Sequence, residues 1–227
     1  MQPPARVVLI TGASRGIGAE VARRLASPDT HVIVNYRENI NRAQSVVAAI
    51  RGAGGRATAL AADISDDVEV AALMQSITAH FGRLDAVILN ASSGVELGVD
   101  RGYAMRLNRD AQRRLAQLAM PLMPAGSRLV FVTSHQAHFY PHKAVPKGYA
   151  GVAATKRAGE TALYTMRSAL DHAGIHLTVV SADMIDGAEA APPTVEEFSA
   201  AIVNAAVTPS PSTIVYVGGD HHLMTVA

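Results

Sequence analysis

The sequence contains no cysteine and no tryptophan, and its aromatic carbocycles are limited to six tyrosines and four phenylalanines. Without thiols there is no disulfide framework, no thiolate metal site and no redox dithiol, so nothing supports a secreted, oxidised fold. Charge is also scarce: Asp, Glu, Lys and Arg make up 17% of 227 residues, below the roughly 25% of an average soluble domain. The net charge of +1 calls for no polyanionic partner, and nucleic acid is not expected. No apolar run approaches the ~20 residues of a membrane span. The opening Met1-Gln2-Pro3-Pro4-Ala5-Arg6 lacks the apolar core and cleavage site of a signal peptide. The expectation is a cytoplasmic protein without a membrane partner, folded as one domain over residues 1–227.

What is present is an alternation of short β-branched runs with longer helical stretches, the signature of a parallel sheet with crossover helices. Val7-Val8-Leu9-Ile10 is apolar without alternation, as a strand covered on both faces must be. Further strands are predicted at 31–35, 58–61, 86–89, 128–132, 176–180 and 213–217. Helices are predicted from Gly16, over 42–51, from Ser65 to Gly82, along the face bearing Ala104, Leu107, Ala111, Leu115 and Leu118, over 152–173, and from Thr194. The fold class is therefore α/β: a Rossmann-type, doubly wound, seven-stranded parallel sheet with helices on both faces.

The strongest local signal is Thr11-Gly12-Ala13-Ser14-Arg15-Gly16-Ile17-Gly18, lying between the first strand and the first helix. Gly12 permits a tight turn, Gly16 admits a pyrophosphate close to the backbone, and Gly18 lets helix and strand pack without an intervening side chain. The unpaired N–H groups of the helix start then face the phosphates, aided by the aligned peptide dipoles. Glycines at 12, 16 and 18 resemble the T-G-x-x-x-G-I-G pattern of the short-chain dehydrogenase/reductase family.

Further motifs of that family follow in order. Asp63 matches its adenine-contacting aspartate, and Leu89-Asn90-Ala91-Ser92 resembles its N-N-A-G with two positions replaced. Asn108, Ser134 and Lys156 match its catalytic asparagine, serine and lysine, and Val217-Gly218-Gly219 its closing strand. Within the family the chain looks most like the 3-oxoacyl-carrier-protein reductases. The resemblance assigns the cofactor to Gly12, Ser14, Arg15, Gly16, Ile17 and Gly18 in the loop. Beyond the loop it assigns Tyr36, Arg37, Asp63, Ile64, Asn90, Ala91, Lys156 and Ile185. At the end of the second strand, Asn35-Tyr36-Arg37 puts Tyr36 where an NAD-selective enzyme has its ribose-binding carboxylate. Nothing there repels a 2′-phosphate, and Arg37 and Arg15 can pair with one, so the expected cofactor is NADP(H).

In the family a tyrosine four residues before the lysine exchanges a proton with the substrate oxygen. The serine holds that oxygen, the asparagine supports a proton-relay water, and the lysine binds the ribose and favours the tyrosinate. Here that position is Val152, which cannot transfer a proton. The nearest phenol is Tyr149, three residues earlier, which a continuing helix would put ~5 Å away on a neighbouring face. The 22-residue step from Ser134 to Lys156 is about five longer than the family suggests, so the lead-in can take its own path. Tyr149 is the first candidate donor, and Tyr140 and His138 are alternatives from the same loop. His135, His138 and His142 are read as polar surface rather than a metal cluster.

After the sixth strand the family's Pro-Gly is replaced by Ala182-Asp183-Met184-Ile185-Asp186-Gly187, and the segment from Gly187 to Thr194 is short. Both departures suggest a small lid and an open pocket. The basic stretch with Arg101, Arg106, Arg109, Arg113 and Arg114 is read as a solvated or subunit-facing surface. The resemblance implies a homodimer or homotetramer. Two functions remain open at this level. One is an NADP(H)-dependent oxidoreductase acting on a small carbonyl or secondary alcohol. The other is a catalytically silent NADP(H)-binding regulatory or assembly protein, for which Val152 is the best argument.

Overall fold

The computed structural model of the chain describes residues 4–92, 101–183 and 193–218. Seven parallel strands lie in the order β3-β2-β1-β4-β5-β6-β7. They are β1 (Arg6–Ile10), β2 (Thr30–Tyr36), β3 (Arg56–Ala61), β4 (Ala86–Leu89), β5 (Arg128–Ser134), β6 (His176–Ala182) and β7 (Ile214–Val217). This is the doubly wound α/β sheet expected from the alternating pattern. The central strand β1 shows why its sequence does not alternate. Val7 and Leu9 enter one apolar cluster and Val8 and Ile10 the other, so both faces are covered.

On one face pack α1 (Gly16–Leu25), α2 (Ile40–Gly52) and α9 (Val195–Val207), through residues such as Val21, Val47 and Ile202. The opposite face receives α3 (Asp67–His80) and α5 (Gln112–Ala119). Leu163 of α7 (Ala150–Tyr164) and Leu170 of α8 (Arg167–His172) join them there. The helix starts follow local chemistry. Asp66 Oδ1 caps α3 by accepting the N–H groups of Val68 and Glu69 at 2.9 and 3.0 Å. Thr194 and Glu197 form a reciprocal capping box at α9. No helix among the described residues is long and apolar enough to cross a membrane.

Two features depart from the predicted elements. The stretch expected to be helical over 152–173 is two helices, α7 and α8, separated at Thr165 and Met166. The helix after β4 is also not uniform: α4 (Arg101–Met105) passes through a π-helical turn (Arg106–Ala111) before α5. That turn contains Asn108, and helical periodicity alone does not register one added residue per turn. A short helix, α6 (His135–His138), follows β5 directly.

The β1 and β4 ends are joined by one fully buried hydroxyl. Thr11 Oγ1 donates to Ile88 O at 3.3 Å and accepts the N–H groups of Asn90 and Ala91 at 3.0 and 2.9 Å. Thr11→Val keeps the shape but leaves the Ala91 N–H without an acceptor and the Asn90 N–H with only Ile88 O at 3.1 Å, and an unsatisfied buried donor costs roughly 1–3 kcal/mol. Thermal or urea unfolding of Thr11→Val should show a loss of about 2 kcal/mol. An unchanged midpoint would mean that the loop rearranges to satisfy both amides.

Candidate nucleotide cleft and active site

The carboxyl ends of β1, β4 and β5 open into a cleft of about 790 Å³. It lies where the strand order reverses between β1 and β4, the place at which open α/β sheets bind ligands. Its floor is the glycine loop. Gly12 and Gly16 have φ of 63° and 55°, left-handed backbone that only glycine adopts without strain. Gly18 is needed for another reason: a Cβ there would stand 2.6 Å from Asn90 Nδ2 and 2.7 Å from Gly12 O. Asn90 in turn latches the loop to β4, its Nδ2 donating to Thr11 O at 2.9 Å.

The loop leads into α1, whose N-cap residue Arg15 provides no side-chain cap and whose first turn holds no acidic residue. Its N–H groups and the positive end of its dipole therefore meet the cleft without an internal anion. Ser14, Arg15 and Ile17 line the same wall. A glycine-lined, uncapped helix end fits a diphosphate.

At the far end Tyr36 is buried, while Arg37 is exposed at the rim. Asp63 Oδ1 accepts from Ser65 N at 2.8 Å and Ser65 Oγ at 2.7 Å, and Ile64 and Ala91 complete the lining. Three residues of this end were not picked out from the sequence. Asn35 is buried and steadies the loop from β2, its Oδ1 accepting Gly12 N at 3.4 Å and its Nδ2 donating to Ala62 O at 3.1 Å. Arg42 lines the cleft from the first turn of α2. A cation there opposes the helix dipole, and that local conflict was the available signal for an anion site. The third, Tyr103, reaches across from α4: its hydroxyl meets Arg37 and donates to Asp63 Oδ2 at 3.3 Å.

The reactive end is built by β5 and α7. Ser134 ends β5, buried but lining the cleft, and its Oγ lies 3.5 Å from the Tyr149 hydroxyl. Tyr149 is the N-cap residue of α7 rather than part of a continuing helix. Counted along α7, seven residues make two turns less about 20°, so Tyr149 and Lys156 share a face roughly 10 Å apart along the axis. Val152, on the same helix, turns inward and does not line the cleft.

Lys156 lines the cleft and makes no hydrogen bond or ion pair among the described residues. Its surroundings remove water from the ammonium and lower its pKa from 10.5 to about 8. Within the protein, the lysine is thus neutral between about pH 8 and its ordinary value, whereas the unfolded chain still binds that proton. Its contribution to stability rises with pH across that window.

Other residues singled out from the sequence lie elsewhere. Asn108 is buried behind the site, its Nδ2 donating to Thr155 Oγ1 at 2.9 Å, and it does not reach the cleft. His138 is buried in a polar cluster, with Nδ1 2.8 Å from Glu160 Oε1 and Nε2 3.0 Å from Tyr216 Oη. His135 pairs with Ser181 Oγ at 2.8 Å. Neither histidine lines the cleft, and neither does Tyr140. Asp183 is also buried, accepting from Gln136 Nε2 at 2.8 Å, so its charge is engaged inside the fold rather than in the cleft. Ile185, Asp186 and the short segment after Gly187 lie outside the described residues.

These features agree with the comparisons to known proteins. Residues 6–197 match the short chain dehydrogenase family model. The chain is 36% identical over 190 residues to 1-cyclohexenylcarbonyl-CoA reductase of Streptomyces collinus, covering 80% of this chain and 65% of that protein. Across the curated relatives it matches, the chain spans about half to two thirds of their length. Among solved structures, the promiscuous reductase LugOII, which catalyses keto-reduction at C1 during lugdunomycin biosynthesis, is similar at a TM-score of 0.79 and 25% identity. That match covers 97% of this chain and 98% of LugOII. The angucycline C-6 ketoreductase LanV with bound NADP is similar at a TM-score of 0.66 and 27% identity, over 78% of this chain and 71% of LanV. With the glycine loop, the strand order and the family match in agreement, the chain belongs to the short-chain dehydrogenase family.

Proposed function

We propose that this protein is an NADP(H)-dependent reductase of a small carbonyl compound, with Tyr149 as the proton donor in place of the missing tyrosine at position 152. The observation that carries the reading is the 3.5 Å approach of the Ser134 and Tyr149 hydroxyls within the cleft that also holds Lys156 and the uncapped end of α1. A purely binding protein needs the lysine and the loop but has no use for two converging hydroxyls.

The chemistry supplied by the bound nucleotide is hydride transfer. The glycine loop and the α1 amides hold its diphosphate, and Arg15, Arg37 and Arg42 give the cleft rim a positive bias suited to a 2′-phosphate. Lys156 donates to the ribose hydroxyls. Ser134 Oγ donates to the substrate oxygen and fixes it beside Tyr149, whose hydroxyl passes its proton to that oxygen as negative charge develops there. Seven residues separate Tyr149 from Lys156 rather than four, so the lysine serves the ribose more than the phenol. Asn108 braces the α7 backbone through Thr155 and acts on the site only by positioning it. The reductase names of the relatives, LanV's bound NADP and LugOII's keto-reduction support the same class of reaction.

The test is calorimetry with NADPH and NADH side by side, followed by NADPH absorbance over a panel of ketones, quinones and acyl thioesters. NADPH should bind more tightly and be consumed. Its affinity should decline as pH rises through about 8, where Lys156 of the free protein loses its charge. Tight NADPH binding without turnover of any substrate would favour the silent binder. Tighter binding of NADH would overturn the cofactor assignment.

A further inference from the structure

Tyr103 is not required by the proposed reaction, yet it joins the two groups that the adenosine end of a nucleotide would use. Its ring stands beneath the Arg37 guanidinium, 5.5 Å from the ring centre, and its hydroxyl accepts from Arg37 Nη1. The same hydroxyl donates to Asp63 Oδ2 at 3.3 Å, and the Arg106 guanidinium lies 5.9 Å from the ring centre. Arg37 is held from a second side by Glu38 at 2.7 Å. Three chain segments, the turns that follow β2 and β3 and helix α4, are thus clasped over one end of the cleft by a single phenol. The interactions of the hydroxyl are charge-assisted on both sides, which makes them stronger than neutral hydrogen bonds.

We propose that Tyr103 competes with the nucleotide's 2′-phosphate for Arg37. It thereby sets how strongly this chain prefers a phosphorylated adenosine. This rests on the reading of the cleft as a nucleotide site. Arg37 cannot present its full fork to a phosphate while one of its N–H groups is spent on the Tyr103 hydroxyl. A ligand bearing the 2′-phosphate must displace that hydroxyl, whereas a ligand without it has no need of Arg37. Asp63 keeps the phenol in place when the clasp is closed. The residue is a determinant of cofactor affinity and takes no part in the proton transfer.

Adenosine 2′,5′-bisphosphate and adenosine 5′-monophosphate test this without the nicotinamide end, by calorimetry on the wild type, Tyr103→Phe, Arg37→Ala and the double variant. Tyr103→Phe keeps the ring and its packing and removes only the hydroxyl. It should tighten the bisphosphate roughly 5- to 10-fold and the monophosphate by less than about twofold. In the Arg37→Ala background the gain on the bisphosphate should disappear. Equal gains on both ligands, no gain on either, or a gain that survives loss of Arg37 would overturn the clasp. If the wild type binds both ligands and Tyr103→Phe gains nothing, only the clasp falls. If the wild type binds neither, the nucleotide-site reading falls with it.

Discussion

Tyr149→Phe should reduce kcat for carbonyl reduction by about 10²- to 10⁴-fold, the usual contribution of a positioned general acid, while leaving NADPH affinity within about twofold. The phenol lies 3.5 Å from Ser134 Oγ, and its removal leaves the ring to pack but no hydroxyl there to pass a proton. The split between kcat and binding separates this role from a structural one, because a misplaced α7 would also disturb Lys156 and weaken the nucleotide. Turnover of the Tyr149→Phe variant at the wild-type rate would assign the proton to another group. His138 and Tyr140 do not line the cleft, so neither of them would then be the source.

The second large effect is on stability. Gly159 packs α7 against the π-helical turn so closely that a Cβ would fall 1.9 Å from Asn108 O and 3.1 Å from Asn108 C. Those are backbone atoms and cannot swing aside. In an exposed helix Gly→Ala would gain about 1 kcal/mol from propensity, but here overpacking of about 3 kcal/mol or more should outweigh it. For a domain of this size the net loss of about 2 kcal/mol or more corresponds to a fall in Tm of at least roughly 4–8 °C. Because Asn108 braces Thr155, whose Oγ1 donates to Val152 O at 2.9 Å, the same substitution should also disturb the start of α7 and slow turnover. A Gly159→Ala protein that melts at the wild-type temperature would show that the two helices can separate cheaply.

Tyr149 and Asn108 illustrate why the chemistry is less legible than the frame. Val152 stands where the family's tyrosine should be, and Tyr149 looked one helical turn too early. Its actual place, at the N-cap of α7 and beside Ser134, depends on where the long lead-in after β5 ends. No periodicity encodes that end point. Asn108 matched by position, but the π-helical turn that carries it directs its amide towards Thr155 rather than into the cleft. Tyr103 had no motif at all. It became visible only because α4 meets the turns that follow β2 and β3, bringing together residues 40 and 66 positions apart.

The parallel sheet, the covering of both its faces and the glycine-lined start of α1 are legible in the amino-acid sequence without any coordinates. Each of these leaves a pattern that spans only a few residues: unbroken apolar strands, caps, and turns that only glycine can make. Only the packed fold reveals which phenol meets Ser134, that Asn108 lies behind the cleft, and that Arg37 is held by Tyr103. Those outcomes rest on distances between elements far apart in the chain, fixed by how helices with uneven turns settle on the sheet, and local preference carries no information about them.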